Sequence, residues 1–377
     1  PHLRAFHAGE LVGDIPVATL TDEAPRYDVG RVRPARLASE PLPAGALDTP
    51  PDAALRGLLA APGVASRAWV TRQYDQLVGS GTVVRPGGDA AVVRLTPSNR
   101  AIAVSLDGNG RRTWLDPRRG GMSAVCEAAR NVACTGARPA AVTNCLNFGN
   151  PEDPEIGYEL AEAIDGMATA CRALGLPVVS GNVSLYNEHD GRPIPPTPVV
   201  GVVGVLDDAA RAVRIAFRDD GDVVLLAGGG ASALDGSDYQ KVIQGEVAGR
   251  IPEPDLDNER ALHAFLADAA DRNLLRSAHD VGGGGLAVAV AESAMAGGIG
   301  VRVDDADDLF GEGDGRVIVS ARKADLAALR KLAGGLPLRR LGTVGGAEIA
   351  VGTARIGLAE ARAIYESAIP RIMDGDA

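Results

Sequence analysis

Hydrophobic and polar positions change their period repeatedly along the chain. Residues 90–95 and 101–106 alternate apolar and polar side chains, which predicts half-buried antiparallel strands. Across residues 122–135 the apolar side chains recur at helical spacing, and Gly136 is a suitable C-cap for the predicted helix. Residues 199–206 are continuously apolar, which predicts a strand covered on both faces. The mixture indicates a fold of the α/β or α+β class.

Two polar segments follow predicted strands. Strand 140–143 leads into Asn144-Cys145-Leu146-Asn147-Phe148-Gly149-Asn150-Pro151, and strand 177–180 leads into Gly181-Asn182-Val183-Ser184. Sheets often present ligand-binding groups at strand ends, so both segments are predicted to be site-bearing loops. The second offers a glycine without a Cβ, an amide oxygen for a hard cation and a hydroxyl, a set that suits Mg-ATP. An ordinary Gly-Asn turn and ordinary loop-forming asparagines are the alternatives.

The later part of the chain carries two further candidate segments. His279-Asp280 precedes the glycines of residues 282–285, which open a helix predicted over residues 286–296. Free N–H groups at a helix start can bind phosphate, although a structural histidine is the favoured interpretation. Residues 310–316, Phe-Gly-Glu-Gly-Asp-Gly-Arg, offer carboxylates, but a turn with solvated charges is favoured there.

The length of 377 residues predicts about two domains. Residues 1–50 are expected to be the tail of a preceding domain and a linker, opening with a hairpin over residues 3–6 and 10–17. Residues 51–211 are assigned to a first, sheet-forming domain. Residues 212–377 are assigned to a second domain, an α+β sandwich.

Composition narrows the class of protein. Lys+Arg total 38 and Asp+Glu total 49, and this net charge of −11 argues against non-specific binding to nucleic acid or to anionic membranes. No apolar run approaches the roughly 20 residues needed to span a bilayer, so a cytosolic protein is expected. The four cysteines are widely spaced without a Cys-x-x-Cys pair, which favours reduced core thiols over a zinc site. Glycine, at 48 residues, is concentrated where strands meet helices.

Five segments, in this order, resemble the phosphoribosylformylglycinamidine synthase family, ATP-dependent amidotransferases of purine biosynthesis. They are Glu127–Ala133, Cys145–Pro151, Val179–Ser184, Pro196–Gly204 and Ser277–Val281. The synthetase subunit of this family duplicates a two-domain unit like that of aminoimidazole ribonucleotide synthetase. This chain resembles the second unit, preceded by the last strands of the first. The resemblance implies a sheet-forming N-domain and an α+β sandwich C-domain.

The resemblance also implies roles for four residues. Asn144 and Gly181 would contact ATP, Asn182 would ligate Mg²⁺, and Ser184 would contact formylglycinamide ribonucleotide. In the family reaction, ATP phosphorylates the amide oxygen of that substrate, and glutamine-derived ammonia then displaces phosphate to give formylglycinamidine ribonucleotide. Such phosphoryl transfer needs positioned cations and donors more than covalent catalysis.

Three positions depart from the family pattern. Many relatives carry Asp where this chain has Asn144, so a charged ATP contact becomes neutral. Gly282 and Gly313 replace serines that are usual in the family. These two glycines lie around Asp280, in the part of the chain that resembles the family's duplicated, non-catalytic nucleotide site. The departures there therefore put nucleotide binding at this second site in doubt more than they put turnover in doubt.

The family's general-base histidine, ATP lysine and acidic magnesium ligands belong to its first unit. None of the five histidines here lies in such a segment, and residues 1–240 contain no lysine. We therefore expect no catalytic residue in this chain and no activity from it alone. The implied partners are the N-terminal half of the enzyme, a glutaminase subunit and a small accessory subunit. A homodimer through the unpaired first-domain sheet is a further expectation.

Two other functions remain open on the sequence. A nucleotide-binding structural module of the same complex would tolerate loss of the Asn182 and Ser184 side chains. A free-standing enzyme of the synthetase superfamily would need its own base and lysine near an N-terminal glycine-rich segment, which the sequence does not contain.

Overall fold

The computed structural model describes residues 1–24, 29–37, 47–306 and 308–375. Near the N-terminus, β1 (His2–His7) and β2 (Glu10–Pro16) form an antiparallel hairpin, and the short helix α1 (Val17–Leu20) follows. The predicted hairpin is therefore confirmed. Parts of the predicted linker, at residues 25–28 and 38–46, lie outside the described residues.

Next along the chain are the elements that surround the first sheet. They are α2 (Pro51–Leu59), α3 (Ala68–Thr71), β3 (Thr82–Val84), β4 (Ala91–Arg94), β5 (Ala101–Asp107), α4 (Gly110–Leu115), α5 (Pro117–Cys134), β6 (Arg138–Asn147), α6 (Pro154–Leu174), β7 (Val178–Ser184), β8 (Glu188–His189), β9 (Arg192–Pro193) and β10 (Thr197–Leu206). Six of the strands form a sheet in the order β3-β4-β5-β10-β6-β7, in which only β6 and β7 pair in parallel. Helices α5 and α6 pack together beside this sheet and share its apolar core.

The second sheet has a core on each face. Its elements are β11 (Val223–Ala227), α7 (Leu256–Asp271), β12 (Ser277–Asp280), α8 (Gly285–Gly297), β13 (Val301–Val303), β14 (Val317–Ala321), α9 (Leu326–Ala333), β15 (Leu338–Val344), β16 (Glu348–Val351), β17 (Ala354–Gly357) and α10 (Leu358–Asp374). The strand order is β12-β14-β11-β15-β13-β16-β17. In β11, Val224 joins the core shared with α8, while Leu225 joins the core shared with α7. This alternation fits the period of a strand buried on both faces, and the predicted mixed α+β architecture is confirmed.

Local sequence signals place several element ends. The side chain of Asp153 accepts a hydrogen bond from Glu155 N at 2.9 Å and caps α6, and Gly175 ends that helix with a left-handed φ of 69°. Short 3₁₀ turns lie at Ala35–Leu37, Val78–Ser80, Ala209–Arg211 and Lys323–Asp325, and a π-helical turn lies at Gln240–Gln244. The capping residues therefore define both ends of α6.

Helix α2 packs differently from the predicted division at residue 51. Its buried side chains Leu55, Leu58 and Leu59 belong to the apolar cluster of the second sheet, together with α8. The periodicity of α2 shows which face is apolar but not which sheet covers it. The predicted boundary therefore does not describe the packing of this helix, which follows the second domain.

A buried ion-pair network joins the two domains. Arg130 on α5 is 1% exposed and bonds to Asp280 on β12 and to Glu259 on α7. Arg130 Nη1 also lies 3.5 Å from Asp314 Oδ1, and Asp314 Oδ2 accepts a hydrogen bond from Arg112 Nη2 at 3.0 Å. Since α5 and Arg112 belong to the first domain, these contacts fix one domain against the other.

Replacement of Arg130 by Met should therefore be costly. The variant retains an apolar stem but leaves the carboxylates of Asp280 and Glu259 buried without their cation, so the free energy of unfolding should fall by about 3–5 kcal/mol. Chemical denaturation would measure this loss. Arg138→Ala is the matched control, because Arg138 also spans the domains, to Asp268 at 2.7 Å, but is exposed. It should cost less than about 1 kcal/mol, and equal small losses in both variants would contradict the structural role of Arg130.

Candidate functional site

The segments predicted as ligand loops are strands in the structure. Asn144 lies within β6 and Ser184 ends β7, and the parallel pairing of the two strands runs through Asn144↔Gly181 and Asn147↔Ser184. The prediction of loops was therefore wrong at these positions. Gly181, Asn182 and Ser184 lie on β7, the last strand of the sheet, whereas Asn144 lies on β6, which pairs with both β10 and β7. The four predicted site residues are nevertheless brought together on two neighbouring strands.

Gly181 has a structural reason to be glycine. A Cβ at this position would overlap Oδ1 of Asn144 and lie 3.0 Å from the Asn144 carbonyl oxygen. The Asn144 side chain therefore lies across the backbone of β7. Alternation along the strand then places Asn182 and Ser184 on the opposite face from Gly181. Both faces meet at the free edge of β7, where one row of backbone N–H and C=O groups points away from the sheet.

A second candidate site is the cleft between the domains, with a volume of about 1280 Å³. Its wall contains glycines at residues 87–88 and 282–283, two arginines, Arg67 and Arg111, and Trp114. The acidic side chains that line it are Asp89, Asp107, Glu127, Asp238, Asp280 and Glu292. The cleft is therefore predominantly acidic and unsuited to the bare anion that the glycine run suggested.

His279 is held between two carboxylates. Its Nδ1 lies 2.7 Å from Asp89 Oδ1, and its Nε2 lies 2.9 Å from Glu292 Oε2. Burial alone lowers the pKa of His279, but the two carboxylates outweigh burial and raise this pKa well above its usual range. His279 thus ties β12 to α8 and to the first domain, which agrees with its interpretation as a structural histidine.

The start of α8 binds an anion supplied by the chain itself. Glu312 Oε1 accepts hydrogen bonds from Gly284 N and from Asp238 N, both at 2.7 Å. The phosphate cradle predicted from the glycine run is thus filled by a carboxylate. Burial and the nearby Asp238 raise the pKa of Glu312 to about 7. The solvated turn predicted over residues 310–316 was also wrong, since Glu312 and Asp314 are each 4% exposed.

The cleft residues Asp107 and Glu127 were missed as candidate site residues. Burial, followed by the charge of Asp280, raises the pKa of Asp107 to about 7, although Asn131 donates a hydrogen bond that opposes the shift. Burial and the charge of Asp107 raise the pKa of Glu127 well above its usual range. Asp107 ends a strand and Glu127 lies on α5, and only their three-dimensional proximity distinguishes them from ordinary charges. Within the described ranges, no group of three or more His, Cys, Asp or Glu side chains is arranged to hold a metal ion.

Among the residues that the structure describes, no helix combines the length and apolar character that a bilayer requires.

The two domains define the class of protein. Residues 87–206 match the AIR synthase related protein N-terminal domain, and residues 219–353 match the AIR synthase related protein C-terminal domain. The chain belongs to the AIR synthase related family. The predicted resemblance is thereby confirmed for both domains.

Within this family, the chain is similar to phosphoribosylformylglycinamidine synthase subunit PurL. It is 46% identical to PurL of Moorella thermoacetica, in an alignment that covers 84% of this chain and 45% of the relative. It is also 46% identical to PurL of Thermobifida fusca, in an alignment that covers 97% of this chain and 50% of the relative. The chain thus spans about half the length of the curated relatives it matches. The fold is shared with Thermotoga maritima PurL complexed with ATP, at a TM-score of 0.60 and 23% identity over 92% of this chain and 49% of that one. Thermus thermophilus tt0281 also shares the fold, with a TM-score of 0.54 and 22% identity. This match covers 73% of this chain and 92% of tt0281.

The raised pKa of Asp107 predicts a pH-dependent stability. The folded state holds a proton on Asp107 more tightly than the unfolded state, so this carboxyl lowers stability as pH rises from about 4 to 7. Asp107→Asn retains an oxygen for Asn131 but cannot ionise. The free energy of unfolding of the variant should equal that of the parent near pH 4. At pH 8 it should be higher than that of the parent, by on the order of 1 kcal/mol or more.

Thermal unfolding across that pH range would measure the difference. Asp165→Asn, at an exposed position of α6, is the control and should leave the pH profile unchanged. A loss of stability in the Asp107 variant that is the same at every pH would show that the pKa of Asp107 is not raised in the folded protein.

Proposed function

We propose that this chain forms one half of an ATP-dependent ligase that converts formylglycinamide ribonucleotide and ammonia into formylglycinamidine ribonucleotide. The main support is the parallel register of β6 and β7, which puts Asn144 beside the edge strand that carries Gly181, Asn182 and Ser184. The similarity to PurL over most of this chain supports the reaction class. Asn144 and Gly181 are the proposed ATP contacts, Asn182 the proposed Mg²⁺ ligand and Ser184 the proposed ribonucleotide contact.

The free edge of β7 suits part of a nucleotide site. Gly181 and Asn182 are exposed, and no hydrogen bond of the Asn182 side chain occurs within the described residues. One neutral amide oxygen fits Mg²⁺ as a single ligand of an octahedral shell. Phosphate oxygens, water and carboxylates of another segment would have to supply the others. The site is therefore proposed as one wall of a shared Mg-ATP site.

In the proposed reaction, the γ-phosphoryl group of ATP passes to the amide oxygen of the ribonucleotide and ADP leaves. Ammonia then adds to the carbon that bears the phosphorylated oxygen. The bond between this carbon and the oxygen breaks, and phosphate departs. Magnesium would offset the negative charge that develops on the transferring phosphoryl group. The residues of this chain would orient the nucleotide and the ribonucleotide at the edge of β7, and a proton acceptor for ammonia would come from another segment.

The histidines of this chain support the assignment of the general base elsewhere. None of them lies on β6 or β7: two are on the N-terminal hairpin, one ends the short strand β8, and two are in the second domain. They are His2, His7, His189, His263 and His279. We therefore propose that the isolated chain is inactive and that a first synthetase unit completes the site. Glutamine-derived ammonia would come from a glutaminase subunit, in a complex with a small accessory subunit.

The outer face of the first sheet is the proposed surface for that first unit. In β5, Ala101 and Ala103 are buried toward the helices, whereas Val104 and Leu106 point outward and are 39% and 72% exposed. Val93 on β4 continues the apolar surface. An uncovered apolar sheet face of this kind favours contact with a second sheet. In the absence of the first unit, a second copy of this chain would occupy it.

Mixing the chain with a first synthetase unit tests the proposed activity. ADP release should depend on ATP, Mg²⁺, ammonia and formylglycinamide ribonucleotide, and it should occur only in the mixture. Ser184→Ala should raise the KM for the ribonucleotide on the order of 10-fold, the loss expected for one hydrogen bond. Asn182→Ala should lower kcat/KM for Mg-ATP by at least a similar factor.

The matched control is Asn99→Ala, at an exposed turn between β4 and β5, which should leave both constants unchanged. Wild-type activity in the Asn182 and Ser184 variants would favour a nucleotide-binding structural module. Activity of the chain without the first unit would favour a free-standing enzyme. Each outcome therefore selects one of the three functions.

Sedimentation of the isolated chain tests the proposed surface. A dimer is expected at micromolar concentration, and Leu106→Glu should convert it to a monomer because it puts a charge into the apolar face. Leu3→Glu, on the N-terminal hairpin and 58% exposed, is the control and should leave the dimer intact. A monomer for the unaltered chain at high concentration would contradict self-association through this face.

A further inference from the structure

The turn after β7 folds the side chain of Asn187 back onto Ser184. Asn187 Nδ2 donates to the carbonyl oxygen of Ser184 at 2.8 Å and lies 3.0 Å from the Ser184 hydroxyl oxygen. The Ser184 hydroxyl in turn lies 3.2 Å from Asn187 Oδ1. Nδ2 also donates to the carbonyl oxygen of Phe148 at 3.1 Å. One amide group thus contacts both the backbone and the hydroxyl of Ser184 and fixes it to the segment after β6.

This contact depends on an uncommon backbone conformation. Tyr186 has a φ of 62°, in the left-handed region that non-glycine residues rarely adopt. Two backbone hydrogen bonds hold the turn, from Tyr186 N to Gly149 O at 3.0 Å and from Asn187 N to Phe148 O at 3.2 Å. Strained backbone of this kind persists where the surrounding structure imposes it, often at functional sites. Here its effect is to bring Asn187 within reach of Ser184.

The hydrogen-bond inventory defines how the hydroxyl is presented. Nδ2 carries two protons and lies within hydrogen-bond distance of three acceptors, the carbonyl oxygens of Ser184 and Phe148 and the Ser184 hydroxyl oxygen. The Ser184 hydroxyl donates its own proton to Asn187 Oδ1 at 3.2 Å, which leaves a lone pair of the hydroxyl oxygen for a ligand. In this arrangement Ser184 is an acceptor and suits a hydroxyl or N–H group better than a phosphate oxygen.

We propose that Asn187 is a positioning residue, which fixes the Ser184 hydroxyl as an acceptor for a hydroxyl or N–H group of the ribonucleotide. The proposal rests on the function proposed above for Ser184. Asn187 itself does not touch the substrate; it acts through Ser184. Its contribution therefore exists only while the Ser184 hydroxyl is present.

A double-mutant cycle in the two-unit enzyme tests this dependence. Asn187→Ala and Ser184→Ala should each raise the KM for formylglycinamide ribonucleotide on the order of 10-fold. The double variant should also have a KM about 10-fold above that of the parent, because the second substitution removes no further interaction with the ribonucleotide. The KM for ATP and kcat should stay within about twofold of the parent in all three, and Asn99→Ala should leave every constant unchanged.

Several outcomes would overturn the proposal. A KM about 100-fold above the parent in the double variant would show that the two residues act independently. The proposal would also be overturned if Ser184→Ala raises the KM for the ribonucleotide and Asn187→Ala leaves this KM unchanged. A Ser184→Ala variant without effect would instead remove the proposed role of Ser184, which is a separate failure.

Stability measurements separate positioning from a purely structural role. Asn187→Ala loses the side-chain bonds to the carbonyl oxygens of Phe148 and Ser184 but keeps the two backbone bonds of the turn, so it should fold with a melting temperature lower by only a few degrees. Asn187→Ser, which retains a smaller donor, is the second variant. Early melting in both would assign Asn187 a structural role and would contradict the proposal.

Discussion

The buried guanidinium of Arg130 is the interaction on which the arrangement of the two domains depends. It is 1% exposed and contacts carboxylates of two second-domain elements, Asp280 on β12 and Glu259 on α7. Taking three charged groups out of water is costly, and their mutual attraction offsets the cost only when the geometry is well defined. A rotation of one domain would separate the guanidinium from its carboxylates while both were buried. The network therefore favours one relative orientation more strongly than apolar packing, which is not directional.

Negative charge exceeds the positive charge available around this network. Arg130 lies between Asp280 and Glu259, whereas Glu127 and Asp107 on the adjoining cleft wall make no salt bridge to an arginine among the described residues. The raised pKa values of these two carboxyls express that imbalance. The glycine run before α8 already donates to Glu312, and the acidic wall disfavours an external anion there. Ligand-binding chemistry for the proposed reaction is thus better supported at the β6–β7 edge.

The sequence predicts elements better than it predicts their partners. Capping residues such as Asp153 and Gly175 act locally, so the limits of α6 were predictable from neighbouring residues. The apolar face of α2 was equally readable, but the sheet that covers it depends on chain crossings distant in sequence. Asn144 and Gly181 were predicted to belong to one site. Their predicted loops were wrong because polar residues also occur within strands: Gly181 lies on the edge strand β7, and Asn144 lies on β6 where it pairs with β7. The burial of Glu312 and Asp314 depends on donors contributed by other elements, which local sequence does not show.

Chain connectivity links the domain interface to the candidate site. Helix α5, which carries Arg130, runs through Gly136 directly into β6, and β6 sets the register of β7. Gly136 has a φ of 84°, and a Cβ there would lie 2.6 Å from the Cβ of Ala270 on α7. The turn that starts β6 is therefore packed against the second domain. The second domain therefore packs against the turn that begins β6, the strand that carries Asn144 and pairs with Gly181 of β7. A site at the edge of one domain can in this way be rigid, because the strand that bears it begins at the interface between two domains.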